Sequence, residues 1–165
     1  MKTIKLSCAH ALFKFLIAQK TIIDGKKVPL FPGAFAIYGH GNVACLGQAM
    51  EEFQSDLPGY RGHHEQSMAL SGIGYARAMR RKQIFIATSS SGPGAMNMVT
   101  AAGVALSNRL PLLLLPGDVF ASRFPDPVLQ QVENFNSPVE NQNDAFKPVS
   151  RFFDRITRPE QILNS

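Results

Sequence analysis

The sequence predicts an α/β domain of three layers, a mostly parallel sheet with helices on both faces. Three observations lead there. Short runs at 34–38, 83–88 and 112–115 are apolar on consecutive residues, as strands covered from both sides must be. Stretches with helical spacing of apolar residues separate them. Each run also ends close to a glycine, at Gly39, Gly92 or Gly117, and in such sheets ligands bind at the carboxyl ends of the strands. With 165 residues the chain is long enough for one core, and it reads as a single domain over 1–165.

The elements follow in order. Ser7 is suited to cap a first helix, in which Ala11, Leu12, Phe15 and Leu16 recur at helical spacing as far as Gln19. Asp24-Gly25-Lys26-Lys27 is a turn between Ile22-Ile23 and Val28-Pro29-Leu30, which predicts a short ribbon before the first core strand. Ala34-Phe35-Ala36-Ile37-Tyr38 is that strand, and Leu46, Ala49, Met50 and Phe53 mark the helix after it. A helix over 65–79 carries Gly72 and Gly74, each costing about 1 kcal/mol against Ala, so both predict close packing on the sheet. Then come a strand at 83–88, a helix of small residues at 95–107 behind Gly92-Pro93-Gly94, and a strand at 112–115 closed by Pro116-Gly117-Asp118. Beyond Phe120 the composition shifts. Pro125, Pro127, Pro138 and Pro148 with Asn134, Asn136, Asn141 and Asn143 make 121–165 a Pro/Asn-rich extended segment, expected to lead to domains absent from this chain.

Composition excludes several classes of function. No apolar run approaches the roughly 18 residues of a membrane span. The start, Met1-Lys2-Thr3-Ile4-Lys5, is basic, but His10, Lys14 and Lys20 follow with no small-residue cleavage site, so the expectation is a cytoplasmic protein. Cys8 and Cys45 are too few for a disulfide framework and read as reduced, semi-buried thiols. The net charge of +5 concentrates at Arg77, Arg80, Arg81 and Lys82, where cations complement a helix carboxyl end. Without interleaved aromatics that is no nucleic-acid site. A charged fraction of only 18% against 45% apolar residues is consistent with a surface buried in an oligomer.

Glu65, at a helix start between apolar and small neighbours, has two readings. It complements the helix dipole, or, being desolvated, it shares a proton with a ring nitrogen. Gly92-Pro93-Gly94 lets a ligand approach the backbone, yet it is neither GxGxxG nor a P-loop. Ser89, Ser90 and Ser91 lack a nucleophile-elbow context. His63 and His64 are adjacent and HExxH is missing, so no metal site is expected. His40 reads as a polar contact to a substrate or cofactor, or as an ordinary loop histidine.

Taken together, Gly39-His40-Gly41-Asn42, Arg61-Gly62-His63-His64-Glu65-Gln66-Ser67-Met68-Ala69, Thr88-Ser89-Ser90-Ser91-Gly92-Pro93-Gly94-Ala95-Met96-Asn97 and Leu112-Leu113-Leu114-Leu115-Pro116-Gly117-Asp118 resemble the pyrimidine-binding domain of thiamine diphosphate enzymes over nearly the whole chain. Within that superfamily, Gly39-His40-Gly41-Asn42-Val43 and Phe120-Ala121-Ser122-Arg123-Phe124-Pro125-Asp126-Pro127-Val128-Leu129-Gln130-Gln131 most resemble the inositol-catabolism hydrolases that open 3D-(3,5/4)-trihydroxycyclohexane-1,2-dione to 5-deoxy-glucuronate. The resemblance implies that Glu65 is the catalytic carboxylate. It would hydrogen-bond N1′ of the aminopyrimidine and favour the imino form that takes the thiazolium C2 proton. It implies that Gly92 and Asn97 line the cofactor, and that His40 and Gln131 lie on the side of the substrate, a cyclic polyol dione.

The family also needs a diphosphate-binding domain, with a Gly-Asp-Gly stretch and a downstream Asn for magnesium, and no such stretch occurs here. Mg is therefore expected on a domain absent from this chain, and the 165 residues are expected to be inactive alone, with the site shared between subunits of a homodimer or homotetramer. Two alternatives share the fold: the same domain of an acetolactate synthase-like carboligase or decarboxylase, and a non-catalytic α/β binding module.

Overall fold

The computed structural model describes residues 4–40, 42–124, 126–132, 134–137 and 140–165. The expectations attached to Met1, Lys2, Thr3, Gly41, Pro125 and Pro138 lie outside the described residues. Among the described residues no helix is long and apolar enough to cross a membrane.

Helix α1 (Cys8–Ala18) begins where the Ser7 hydroxyl accepts the His10 backbone N–H, and it buries Ala9, Phe13 and Leu16 along one stripe. A hairpin follows, β1 (Lys20–Ile23) against β2 (Lys26–Pro29). Asp24 and Gly25 both have positive φ, 49° and 76°, the conformation whose twist suits a two-residue hairpin turn.

Four parallel strands then form the sheet: β3 (Ala34–Ala36), β4 (Gly59–Arg61), β5 (Ile86–Ser89) and β6 (Leu113–Pro116). Their spatial order is β4-β3-β5-β6, with Ala34 beside both Gly59 and Ile86, and Ile86 beside Leu113. Side chains alternate between two cores. Ala34, Ala36, Ile86, Leu113 and Leu115 face α1, a π-helical turn (Val43–Gly47) and α2 (Gln48–Glu52). Phe35, Ala87, Leu112 and Leu114 face α3 (Glu65–Ala78) and α5 (Val99–Asn108). The sheet is thus covered on both faces, as the unbroken apolar runs predict. Each fully buried large side chain, such as Phe13, Met50, Leu57 or Met98, contributes about 1.5–3 kcal/mol.

The order of the strands places the functional edge. From β3 the chain moves outward to β4 through α2. From β4 and from β5 it moves the other way, through α3 and α5 on the opposite face, as uniform crossover handedness demands. The chain therefore leaves the neighbouring strands β3 and β5 toward opposite sides. The switch point of the sheet lies between their carboxyl ends, where Gly39-His40 and the Ser89-Ser90-Ser91-Gly92 loop pack together.

Several expectations change. β4 is three residues long and carries no apolar run, so the sequence offered no sign of it. The strand expected at 83–88 begins at Ile86, because the Gln83 amide donates to Pro29 O (2.8 Å) and accepts from the Tyr75 hydroxyl (2.9 Å), tying the hairpin to α3. Gly72 does sit tight on the sheet, since an added Cβ would lie 2.8 Å from Leu112, but Gly74 faces open space. Cys8 and Cys45 are free and exposed rather than semi-buried. Burial and the neighbouring Cys45 still push the Cys8 thiol up.

The segment past β6 folds back as two 3₁₀ turns, Gln142–Val149 and Pro159–Leu163, burying Phe146 and Ile162. A reciprocal cap, Asn141 to the Asn143 N–H and Asp144 to the Asn141 N–H, starts the first turn. Arg155 joins Asp118 at the end of β6 (2.8 Å) to Asp144 (3.1 Å), and Asn143 donates to Gly117 O (2.8 Å). Burial opposes the charge of Asp144, but the Asn141 N–H, Lys147 and Arg155 together hold its carboxyl below the usual range. A carboxyl lowered by folding stabilises above its unfolded value and loses that contribution as pH falls through the folded one. Asp144→Asn is accordingly expected to lower the thermal midpoint at neutral pH by about 3 °C, with the deficit shrinking as pH drops below the ordinary aspartate value of 3.8. Melting curves across that range check it, and a pH-independent deficit would refute it.

Candidate functional site

Glu65 is the first residue of α3. His64 precedes it as cap, its Nδ1 accepting the Ser67 N–H at 3.4 Å, so the carboxyl is not needed to cap the helix and is free for other use. Glu65 as a residue is 9% exposed. Asn97 Nδ2 donates to Glu65 Oε2 at 3.0 Å, while Oε1 has no hydrogen-bond partner among the described residues.

The Asn97 contact depends on a break in the helix expected over 95–107. Pro93 stands at the first position of a short helix, α4 (Pro93–Met96), which stops at Asn97. The Met98 N–H then turns to Ala95 O, the Met98 side chain enters the core, and α5 starts afresh at Val99. The offset leaves Asn97 at the junction with its amide on the carboxylate. Gly92 opens the loop at φ 64°, a conformation that favours glycine. At Gly94 a Cβ would collide with Ser90 Oγ and lie 2.9 Å from Glu65 Oε1. The free carboxylate oxygen therefore lies against a spot kept clear by glycine.

The serine loop is part of the wall. Ser89, Ser90 and Ser91 are buried; Ser89 Oγ donates to Ser90 O (2.9 Å), Ser90 Oγ contacts Ser91 O at 3.4 Å, and Ser91 Oγ is fully buried with no partner among the described residues. Asn42 donates to Ser89 O at 2.6 Å, locking the loop after β3 to that after β5. Gly117 admits Ser91 N from the β6 side.

The sequence-derived residues fall into two groups. Glu65, Gly92 and Asn97 come together around the Gly92-Pro93-Gly94 turn. His40, exposed at the end of β3, has its Nδ1 3.3 Å from Oε1 of Gln130. Gln131 turns away from His40, and its Oε1 accepts the Phe120 N–H at 3.1 Å. Gln130 was missed because nothing in adjacent glutamines says which one turns toward the strand ends. Asn42 and Ser90 were missed as contacts, although both lie in the motifs read from the sequence. Among the described residues no three His, Cys, Asp or Glu side chains gather as a metal-binding group.

A parallel sheet whose topology switches between β3 and β5, with a buried carboxylate at one helix start facing a Gly-Pro-Gly turn at another, is the arrangement of a ligand-binding α/β domain. Residues 33–137 match the family model described as thiamine pyrophosphate enzyme, N-terminal TPP binding domain, and the chain belongs to that family. It is 53% identical over 165 residues to the 3D-(3,5/4)-trihydroxycyclohexane-1,2-dione hydrolase of Clostridium tetani, covering 100% of this chain and 26% of that protein. It is 51% identical over 164 residues to the hydrolase of the same name from Bacillus subtilis, and 49% identical over 164 residues to that of Listeria monocytogenes, in each case over 99% of this chain and 26% of the relative. The chain spans about a quarter of the length of these curated relatives.

Gly94→Ala puts a methyl group into the space beside Ser90 and Glu65 Oε1. It is expected to destabilise the fold by about 1–3 kcal/mol, read as a lower urea midpoint, whereas Gly74→Ala, facing open space in α3, is expected to be neutral or stabilising. Equal effects at the two glycines would contradict the steric account.

Proposed function

We propose that these residues form the aminopyrimidine-binding part of a thiamine diphosphate-dependent hydrolase that opens 3D-(3,5/4)-trihydroxycyclohexane-1,2-dione to 5-deoxy-glucuronate in inositol catabolism. The observation that carries the reading is the state of Glu65: a buried carboxyl with one oxygen fixed by Asn97 and the other free beside Gly94. The names of the relatives, at about half identity over the whole chain, support the choice of substrate.

The residues present fit the cofactor's pyrimidine end. A flat ring needs an approach without a side chain beside the carboxyl, which Gly94 supplies, and a ring nitrogen needs a carboxyl oxygen without a competing donor, which Glu65 Oε1 supplies. When bound, thiamine diphosphate provides a nucleophilic carbon that adds to a ketone carbonyl and so permits cleavage of the neighbouring C–C bond. This chain's part is to hold and move protons and to orient. Glu65 holds a proton at Oε1 toward the ring nitrogen, and Asn97 keeps the carboxyl from rotating. Gly92 lets the Gln130 backbone come close, while His40 stands on the substrate side and Gln131 holds that segment through the Phe120 N–H. The diphosphate and Mg are assigned to a part of the protein outside these 165 residues. The working enzyme is assigned as a cytoplasmic homo-oligomer with its site completed by another subunit, so that the 165 residues alone do not turn over.

In the full-length enzyme, Glu65→Gln is expected to slow exchange of the cofactor's C2 proton with solvent deuterium by about 10²–10⁴-fold while leaving the circular dichroism spectrum unchanged. Exchange at the wild-type rate would defeat the assignment.

A further inference from the structure

Gln130 occupies an unusual position for a residue on a loop with no regular structure. Its backbone is left-handed, φ 65°, which is strained for a non-glycine residue, and such strain persists only where the surroundings hold it. The surroundings here are the two glycine loops of the switch point. A Cβ on Gly92 would collide with the Gln130 carbonyl oxygen, and a Cβ on Gly39 would lie 3.2 Å from Gln130 Oε1. Glycine at 39 and 92 thus admits residue 130 to the carboxyl ends of β3 and β5. The neighbouring Gln131, bonded to the Phe120 N–H, anchors the segment from behind.

The one side-chain hydrogen bond of Gln130 among the described residues goes to His40, Oε1 to Nδ1 at 3.3 Å. An amide oxygen only accepts, so the proton of this bond sits on Nδ1 of the imidazole. In the neutral ring Nε2 then carries a lone pair. Nε2 has no partner among the described residues, and the ring is exposed beside the strand ends. We propose that Gln130 is a positioning residue that fixes His40 in its Nδ1-protonated form, so that Nε2 accepts a hydrogen bond from a hydroxyl of a polyhydroxylated ketone substrate. A histidine held in the other tautomer would offer a donor there and favour a carbonyl. The pair therefore selects for hydroxyl-bearing rings. This inference rests on the cofactor reading given above.

The test uses the full-length enzyme with thiamine diphosphate and magnesium, and compares Gln130→Met, Gln130→Glu, His40→Ala and the Gln130→Met/His40→Ala double variant. Two measurements separate the questions: C2-proton exchange without substrate, and steady-state ring opening of the dione. Exchange is expected to be unchanged in all four. Gln130→Met, which keeps length but loses the acceptor, should lower kcat/KM about tenfold, mainly through KM, as expected for one lost oriented hydrogen bond. Gln130→Glu retains an acceptor and, assayed at a pH high enough to keep the imidazole neutral beside a carboxylate, should stay within about threefold of wild type. Once His40 is alanine, adding Gln130→Met should cost less than about twofold more. Ring opening by Gln130→Met at the wild-type rate, equal losses in the Met and Glu variants, or losses that multiply in the double variant would overturn the proposal. So would loss of exchange in Gln130→Met, which would make the residue structural. Absence of exchange in the unaltered enzyme would instead sink the cofactor reading.

Discussion

Glu65 reaches the Gly92-Pro93-Gly94 turn only because α3 lies close on the sheet, and α3 lies close because the seam between them is built from small residues. Ala69, Gly72 and Ala76, all buried on the helix, meet a sheet whose central strand β5 presents Ala87. At Gly72 the fit is so tight that one methyl group would press into Leu112. α5 repeats the device with Ala101, Ala102 and Ala105. Dispersion contacts are short-ranged, and an interior packed to this density moves as a unit rather than yielding locally. The height of α3 above the sheet therefore sets the height of its first residue, and with it the distance from carboxylate to turn.

The same economy of side chains continues into the loops. Gly39, Gly94 and Gly117 surround the buried serines 89–91, so backbone meets backbone where three strands end. Asn42, Asn97 and Asn143 each spend an amide donor on another segment: Ser89 O, Glu65 Oε2 and Gly117 O. Polar groups removed from water need such partners, and here the partners join elements distant in sequence. The Arg155 bridge between Asp118 and Asp144 extends this lacing to the segment past β6, so a stretch rich in proline and asparagine is held as firmly as its charge pairs allow. Burial works against the Arg155 charge, but the bond to Asp118 and the two carboxylates raise its guanidinium value above the ordinary one.

Much of this was legible because hydrophobic runs and helical spacing report burial, and burial dominates a sheet covered on both sides. The strands β3, β5 and β6, the helices α1 and α3, and the hairpin turn at Asp24-Gly25 all carried such signals. Elements without a burial signature did not. β4 is held by pairing with β3 through only three residues, and the 3₁₀ turn over Gln142–Val149 is announced only by the Asn141/Asp144 cap inside a stretch whose prolines speak for extended chain. The division of α4 from α5 follows from a tertiary demand, the amide of Asn97 on Glu65, which no local pattern encodes. At the site, residue type was readable and geometry was not. A glutamate after His-His could be seen; which of its two oxygens stays free could not.

The register of the sheet also governs how the molecule comes to exist. β1 and β2 meet across a two-residue turn, but Ala34 must find Gly59 and then Ile86, and Ile86 must find Leu113. Each pairing closes a loop of about 25 to 50 residues, and loop closure costs entropy before any contact repays it. The β3 to β5 pairing is the longest of these closures, and it is the one that brings the two glycine loops together. The junction of the two glycine loops is therefore expected to form after the hairpin and the helices.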